Sequence, residues 1–399
     1  MTTTTSQELR AAPAAGPLAL GVVQHSIFWI ALPFGILDFV LPIYGRRIGA
    51  DAIQIGLFFS VFSLMTVLLR PLAGVALDRY GRRPFFLAGL AGYALTMFTF
   101  ASASQVWGIL LARALQGLAS ACMWLAAQAI TADVAGAESR GSAFGRVTQA
   151  SSQGGILGTF IGFSVLFSLE LETSWPILFI GYAAVALFAL FKAWRDLKET
   201  NPSVHLANST PIPHSRPWLL LMLVTVVTAA SWSMVSPVLM IFLQDRLAAD
   251  VTDLATAFLP AALVWAWLPS HLGRLADRFG RKPLMVLGLA AASLTSFLIP
   301  GLTSLAALAI LWALQALCYA AGDPAEQALV ADLTGGDQRG RAYGLYATAG
   351  GLGAVLGPLL GGWLYQNVGT NAPFIANGAV LALCGLILAI LLQIPARRS

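Results

Sequence analysis

Charged side chains are scarce in this sequence: they make up 10% of its 399 residues, whereas a soluble globular domain carries about a quarter. This deficit excludes an ordinary water-soluble enzyme, and a hydrophobic content of 58% excludes a disordered chain. Three cysteines are too few for a disulfide framework. The sequence also lacks a cluster with metal-ligand spacing and a phosphate-binding G-x-x-x-x-G-K-[ST] loop. We therefore predict no metal, no cofactor, no ATP-driven step and no enzymatic activity.

Long apolar runs are what the sequence has in abundance. A membrane-spanning helix needs ~20 mostly apolar residues, and twelve runs meet that need. They predict an all-α integral membrane protein with twelve spans, numbered here in chain order: 18–44, 52–75, 85–103, 107–131, 144–168, 175–194, 217–243, 251–273, 284–302, 304–330, 343–366 and 373–393.

The basic residues predict the orientation of these spans. An even number of spans puts both termini on one side of the membrane, and eighteen Lys and Arg residues fall on that side. Only Arg46, Arg47 and Arg246 fall on the other. Because basic loops stay in the cytoplasm, we predict a multi-pass protein of the cell (inner) membrane with both termini cytoplasmic. The same distribution accounts for the net charge of +5 without a nucleic-acid partner.

Two separate blocks of sequence recur at one offset of 199 residues. The segment from Gly74 to Pro84 (GVALDRYGRRP) returns from Gly273 to Pro283 as GRLADRFGRKP, and ADVAGAESRGSAFG (132–145) returns as ADLTGGDQRGRAYG (331–344). This repeat predicts two six-helix bundles of the same topology, residues 1–194 and 217–399. The proline-rich polar stretch 195–216 is the predicted cytoplasmic linker. Parallel repeats of this kind are typical of transporters that rock around a central site.

The repeated loop G-x-x-x-D-R-x-G-R-[RK]-P resembles the signature loop of the major facilitator superfamily. Arg113-Ala-Leu-Gln-Gly117 in span 4 resembles a second signature, that of its proton-linked members. The element G-P-x-x-G-G, typical of span 5 in exporters of this family, stands here in span 11 as 357–362. The resemblance implies a secondary active transporter with alternating access, of the proton-coupled multidrug antiporter type. A lipid or lysolipid transporter of the same fold and a non-transporting receptor are the alternatives.

The signature loop predicts a conformational latch on the cytoplasmic side. The carboxylate of Asp78 would face the positive end of the span 11 helix, which we expect to start near Ala342. Gly74 would let a neighbouring helix approach closely. The alternative is that the arginines only set the topology. The latch residues are Gly74, Asp78, Arg79, Gly81 and Arg82, with Asp277 and Arg278 in the second repeat.

Charges inside the membrane are costly and are therefore candidates for function. Asp38 and Arg113 lie at matching depths in spans 1 and 4, which predicts an ion pair facing a cavity, with Asp38 as a proton carrier. A static structural pair is the alternative. Asp323 precedes Pro324, which breaks the helix at a buried carboxylate; a simple kink is the alternative there. Glu326 is either a second coupling group or an interfacial residue.

Polar and aromatic side chains form equivalent stripes on spans 4 and 10, and Gln24 shares the face of Asp38 in span 1. We predict that these stripes line a water-filled cavity for an amphiphilic small molecule or a lipid-like substrate. Protons and the lipid bilayer are the other expected partners, and we expect a monomer. The predicted cavity residues are Gln24, Gln116, Trp124, Gln128, Gln315, Tyr319 and Gln327.

Overall fold

The computed structural model describes residues 15–135, 140–200, 215–267, 281–317, 326 and 339–391. Ten of the described helices are long and apolar enough to cross a membrane. Two shorter apolar helices, Val251–Val264 and Leu305–Leu317, lie within predicted spans 8 and 10. The prediction of an all-helical membrane fold with twelve spans is confirmed.

The helices agree with the predicted spans to within a few residues at most ends, and most are longer than the apolar runs. Span 1 is divided in two, and the helix of span 11 begins three residues before Ala342. In chain order the described helices are Ala15–Ala31 with Pro33–Arg47, Ala52–Tyr80, Arg82–Ser102, Val106–Val134, Arg140–Ser168, Leu171–Asp196, Arg216–Leu247, Val251–Trp267, Arg281–Leu298, Leu305–Leu317, Arg339–Asn367 and Ala372–Leu391.

The first bundle is held by a buried aromatic cluster near the ends of spans 1, 3 and 6. Trp175 is almost fully buried, stacks on Tyr44 with ring centroids 3.9 Å apart, and donates from Nε1 to the carbonyl of Phe100 at 2.8 Å. The hydroxyl of Tyr44 donates to the carbonyl of Ala103 at 2.8 Å. An indole and a phenol can be buried here because each polar atom has a hydrogen-bond partner.

The 199-residue repeat extends to details of the backbone. Asp51 and Asp250 stand at equivalent positions before spans 2 and 8. Each carboxylate accepts a 2.8 Å hydrogen bond from the backbone N–H three residues on, which satisfies a donor at the helix start. Gly49 and Ala248 are also equivalent, and both have positive φ, 91° and 49°. The two halves therefore turn between helices in the same way on the face opposite the basic loops.

Glycines bring the helices of each bundle into close contact at equivalent places. A β-carbon on Gly154 or Gly158 of span 5 would collide with a backbone carbonyl of span 1. A β-carbon on Gly353 or Gly357 of span 11, both offset by 199, would collide with a backbone carbonyl of span 7. The G-P-x-x-G-G element in span 11 is thus part of a helix contact that both halves share.

The two bundles contact each other mainly in the half of the membrane away from the basic loops, called here the opposite face. At that face Arg46 of span 1 contacts Asp245 of span 7, and its Nη1 lies 2.8 Å from each carboxylate oxygen. These residues are 199 positions apart, so they are repeat equivalents that meet on the pseudo-twofold axis. Deeper contacts are the ring pair of Phe39 with Phe258 at 4.6 Å and the 2.7 Å hydrogen bond from Ser60 to the carbonyl of Val355.

Candidate transport site

A break in span 1 positions the carboxylate of Asp38. The helix stops after Ala31 and restarts at Pro33, which has no N–H for the preceding turn. Five residues later, Asp38 projects from the second segment into a cavity between the two bundles, and its side chain is exposed there. The predicted single span is confirmed, because Leu18–Arg47 is one apolar span. Leu32, just before Pro33, keeps helical dihedrals, so the interruption is a local one that the sequence analysis did not predict.

The cavity has a volume of about 290 Å³. Of the described lining residues, Asp38 and Phe39 belong to the first bundle and all the others to the second. The residues from the second bundle come from spans 7, 8, 9, 10 and 12 and include Trp232, Met240, Phe258, Ser296, Trp312, Gln315 and Asn377. One carboxylate is thus surrounded mostly by aromatic and aliphatic side chains.

A buried polar cluster closes the cavity on the side of the second bundle. The hydroxyl of Ser231 donates to Oδ1 of Asn377 at 2.5 Å, and Nδ2 of Asn377 donates to Ser296 at 2.7 Å. All three residues are buried. The sequence analysis missed Asn377, although a lone amide in a strongly apolar span is itself a signal for a buried hydrogen bond.

Arg113 is held by contacts with span 2 and with its own span. Its Nε donates to the carbonyl of Phe58 at 2.8 Å, and its Nη1 donates to Gln116 at 2.7 Å. Its guanidinium lies over the rings of Phe59 and Phe62, 4.9 and 4.7 Å from their centroids. Cation–π contacts and a backbone acceptor together stabilise a buried guanidinium.

The predicted direct ion pair between Asp38 and Arg113 is therefore not formed in this structure. The two charges attract each other at longer range, but the guanidinium is held by Phe58 and Gln116 instead of the carboxylate. Asp38 lines the cavity, whereas Arg113 is buried between spans 2 and 4. Helical angle and depth could not show that span 2 offers Arg113 a closer acceptor.

The other described residues of the predicted cavity are spread over several surroundings. Gln315 lines the Asp38 cavity, whereas Gln116 is buried against Arg113. Trp124 lies beside the hydroxyl of Tyr93. Gln128 is exposed. Gln24 lines a different cleft, between spans 1 and 5.

Glu326 lies inside the second bundle. Thr225 of span 7 donates to its Oε1 at 3.1 Å, and Tyr346 of span 11 lies within hydrogen-bonding reach. Thr225 is nine residues from the start of span 7, roughly 14 Å at 1.5 Å per residue. These contacts place a carboxylate between spans 7, 10 and 11, and the choice between a coupling group and an interfacial residue stays a prediction.

The first signature loop is bound to its own bundle. Arg82 contacts Asp133 at the end of span 4 at 3.2 Å and also donates to the carbonyl of Leu77. Gly81 has φ of 99°, and a β-carbon there would meet the carboxylate of Glu199. That carboxylate accepts from the backbone N–H groups of Arg82 and the next residue at 2.8 and 3.1 Å. Glu199, from the predicted linker, thus caps span 3.

Of the other latch residues, Arg79 lies over the ring of Tyr80, 5.4 Å from its centroid. Gly74 faces Leu125 of span 4 at an ordinary contact distance. The structure does not describe the side chain of Asp78. Five further predicted site residues lie outside the described residues: Asp277, Arg278, Tyr319, Asp323 and Gln327.

Two repeated six-helix bundles with a cavity between them define a membrane transporter. The chain belongs to the Major Facilitator Superfamily, whose family model matches residues 25–266 and 221–399.

Relatives of similar length extend the likeness across the whole chain. Multidrug resistance protein 2 of Bacillus subtilis is 24% identical over 370 residues, covering 90% of this chain and 92% of the relative. Multidrug resistance protein MdtG of Yersinia enterocolitica is 27% identical over 382 residues, covering 91% and 90%. The class G tetracycline resistance protein of Vibrio anguillarum is 27% identical over 353 residues, covering 82% and 86%.

Solved structures share the fold. The human organic anion transporter MFSD10 (TETRAN) superposes with a TM-score of 0.69 at 22% identity, covering 94% of this chain and all of that one. A bacterial homologue of the human lysosomal transporter Spinster, inward-facing and occupied, superposes with a TM-score of 0.78 at 15% identity, covering 95% and 97%.

Proposed function

We propose that this protein is a proton-coupled exporter of amphiphilic small molecules, of the multidrug antiporter type. The observation that carries the proposal is the Asp38 cavity. Among the described residues, Asp38 supplies the one carboxylate of this cavity; its side chain is exposed there, and no described Lys or Arg lines the same cavity. The facing walls carry the rings of Trp232, Phe258 and Trp312. A carboxylate beside aromatic faces suits a lipophilic cation.

The same carboxylate supports coupling to protons. Asp38 can bind either a proton or a cationic substrate. Because the two compete for one carboxylate, movement of the substrate is coupled to movement of the proton. Glu326 is a second candidate in the other bundle, and Asp323 remains a predicted one. The multidrug and tetracycline resistance proteins among the relatives support export as the direction.

The proposed orientation puts the basic loops in the cytoplasm, with the termini on the same side. The opposite face, where Arg46 contacts Asp245, is then extracellular, and the structure corresponds to a state closed to the outside. Export requires a second state in which these contacts are open. In that outward-open state the predicted Asp78 latch would close the cytoplasmic side.

Purified protein in proteoliposomes tests this function with tetraphenylphosphonium as the substrate and an internal pH dye. The wild type should couple substrate movement to a proton flux in the opposite direction. Asp38→Asn should abolish both, because the neutral amide binds neither cation. Glu170→Gln is the matched control, since Glu170 is an exposed acid at the opposite face whose side chain does not cap span 6.

Full coupled flux in Asp38→Asn would refute the role of this cavity. Sodium-dependent flux without proton movement would refute the coupling ion. Movement of a lysophospholipid in place of the tetraphenylphosphonium cation would instead favour a lipid transporter of the same fold.

A further inference from the structure

Two clefts lie side by side on the first bundle, on either side of span 1. One, of about 250 Å³, lies between spans 1 and 5. The other, of about 430 Å³, lies between spans 1 and 6. His25 of span 1 is exposed and lines both. The two clefts therefore form one continuous surface, which does not include the Asp38 cavity.

The cleft beside span 5 is polar. Arg146, Gln149 and Gln153 are exposed and lie within roughly 60° of one another on the helix at 100° per residue. At its floor Nε2 of Gln24 is buried and donates to no acceptor in the described part of the chain. A guanidinium and several amide donors converge here, which suits a ligand rich in acceptor oxygens.

The cleft beside span 6 is apolar over most of its length. Trp29 and Phe188 pack edge to face at its wall, with centroids 6.2 Å apart. Phe188 is 51% exposed although it is a large aromatic residue, as expected of a side chain in contact with lipid chains. Lys192 stands at the end of this cleft nearest the basic loops.

The depth of the charges matches that of a lipid headgroup. Arg146 is six residues from the start of span 5, and Lys192 is four residues from the end of span 6, so they lie roughly 9 and 6 Å along their helices. The acid Asp196 contacts Arg195 at 2.7 Å as well as Lys192 at 3.7 Å. Arg146 and Lys192 therefore leave the surface with a net positive charge.

We propose that this double cleft binds one anionic phospholipid from the leaflet on the basic side of the membrane. The phosphate lies against Arg146 and Gln149, and an acyl chain lies along Phe188 and Trp29. His25 stands at the junction between headgroup and chain. The site is separate from the transport cavity, and it requires no transport of the lipid.

Native mass spectrometry of the detergent-solubilised full chain tests this site with dioleoyl phosphatidylglycerol. The wild type should bind one lipid, and Arg146→Gln should bind it at least tenfold more weakly. Arg216→Gln is the matched control because Arg216 is an exposed arginine at the same face, in the second bundle. Dioleoyl phosphatidylcholine should bind more weakly than phosphatidylglycerol, and inorganic phosphate should not displace the bound lipid.

Photo-crosslinking provides a second measurement, and unlike Arg146→Gln it keeps every charged side chain of the cleft. With p-benzoylphenylalanine at position 188, an equimolar vesicle mixture of the two lipids should give crosslinks enriched in phosphatidylglycerol. The same label at Leu111, an exposed residue of span 4, should show no enrichment. Equal binding by Arg146→Gln and wild type, equal crosslinking of both lipids at position 188, or displacement by phosphate would each overturn the proposal. Since none of these assays measures transport, their failure would leave the proposed exporter untouched.

Discussion

The ion pair between Arg46 and Asp245 predicts how firmly the two bundles are held together at the opposite face. Both side chains are about half exposed, 47% and 52%, so water screens much of their attraction. Exposed pairs contribute about 0.2–1 kcal/mol. Because 1.4 kcal/mol is tenfold in an equilibrium constant, Arg46→Ala should shift the population towards the state open at this face by up to about fivefold.

Spin-label distances measure this shift directly. Labels at Leu169 and Val368, exposed residues at this face of the first and second bundle, report the opening on a background without the three native cysteines. The matched control is Glu172→Ala, which breaks the 2.7 Å pair with Arg47. That pair lies within one bundle, so its loss should leave the distances unchanged.

The charge reversal Arg46→Asp with Asp245→Arg should restore the wild-type distances, because the pair lies on the pseudo-twofold axis. High salt should reduce the effect, since the Debye length falls to about 3 Å at 1 M. Equal shifts in Arg46→Ala and Glu172→Ala, or no shift in either, would refute the reasoning.

Substitutions at five further positions have definite expected outcomes. Ala248→Gly should raise the free energy of unfolding by up to about 1 kcal/mol, because it relieves an alanine in the left-handed region. Gly49→Ala should lower it, and the midpoints of thermal unfolding would show the order; the opposite order would contradict the backbone argument. Asn377→Leu should destabilise the protein by about 1–2 kcal/mol in chemical unfolding, because two buried hydroxyls lose their partner. Arg113→Ala should reduce substrate transport in vesicles more than Arg113→Lys, which keeps the charge; equal losses would mean that only the guanidinium shape matters. Asp323→Asn should abolish proton-driven export but keep downhill exchange of substrate, and an unchanged proton flux would move coupling to another carboxylate.

The repeat made much of the fold predictable. Periodicity and length placed the spans, and the 199-residue offset predicted two halves of the same topology. The helix caps at Asp51 and Asp250, which were not predicted, repeat in the structure at the same offset. The local interruption before Pro33 was not predicted, because a proline inside an apolar run does not by itself show where the helix is interrupted.

The candidate site was less predictable, because it depends on which helix supplies a partner. Asp38 does lie at a cavity between the bundles, but Arg113 is held by a backbone carbonyl of span 2. Gln24 shares a helical face with Asp38, yet it lies about 21 Å away along the span and lines a different cleft. Asn377 lies in the last span, where no stripe pointed to the cavity. In each of these cases, contacts between helices determine where the side chain lies, and the pattern along one helix does not.

The position of Arg46 against Asp245 has a consequence for the symmetry of the chain. In a dimer of identical halves, a residue on the twofold axis can only meet its own copy, and two arginines or two aspartates there would repel each other. An ion pair between equivalent positions on that axis therefore needs two halves that differ in sequence. The contact marks a place where the departure from exact symmetry allows a closure that two identical halves could not form.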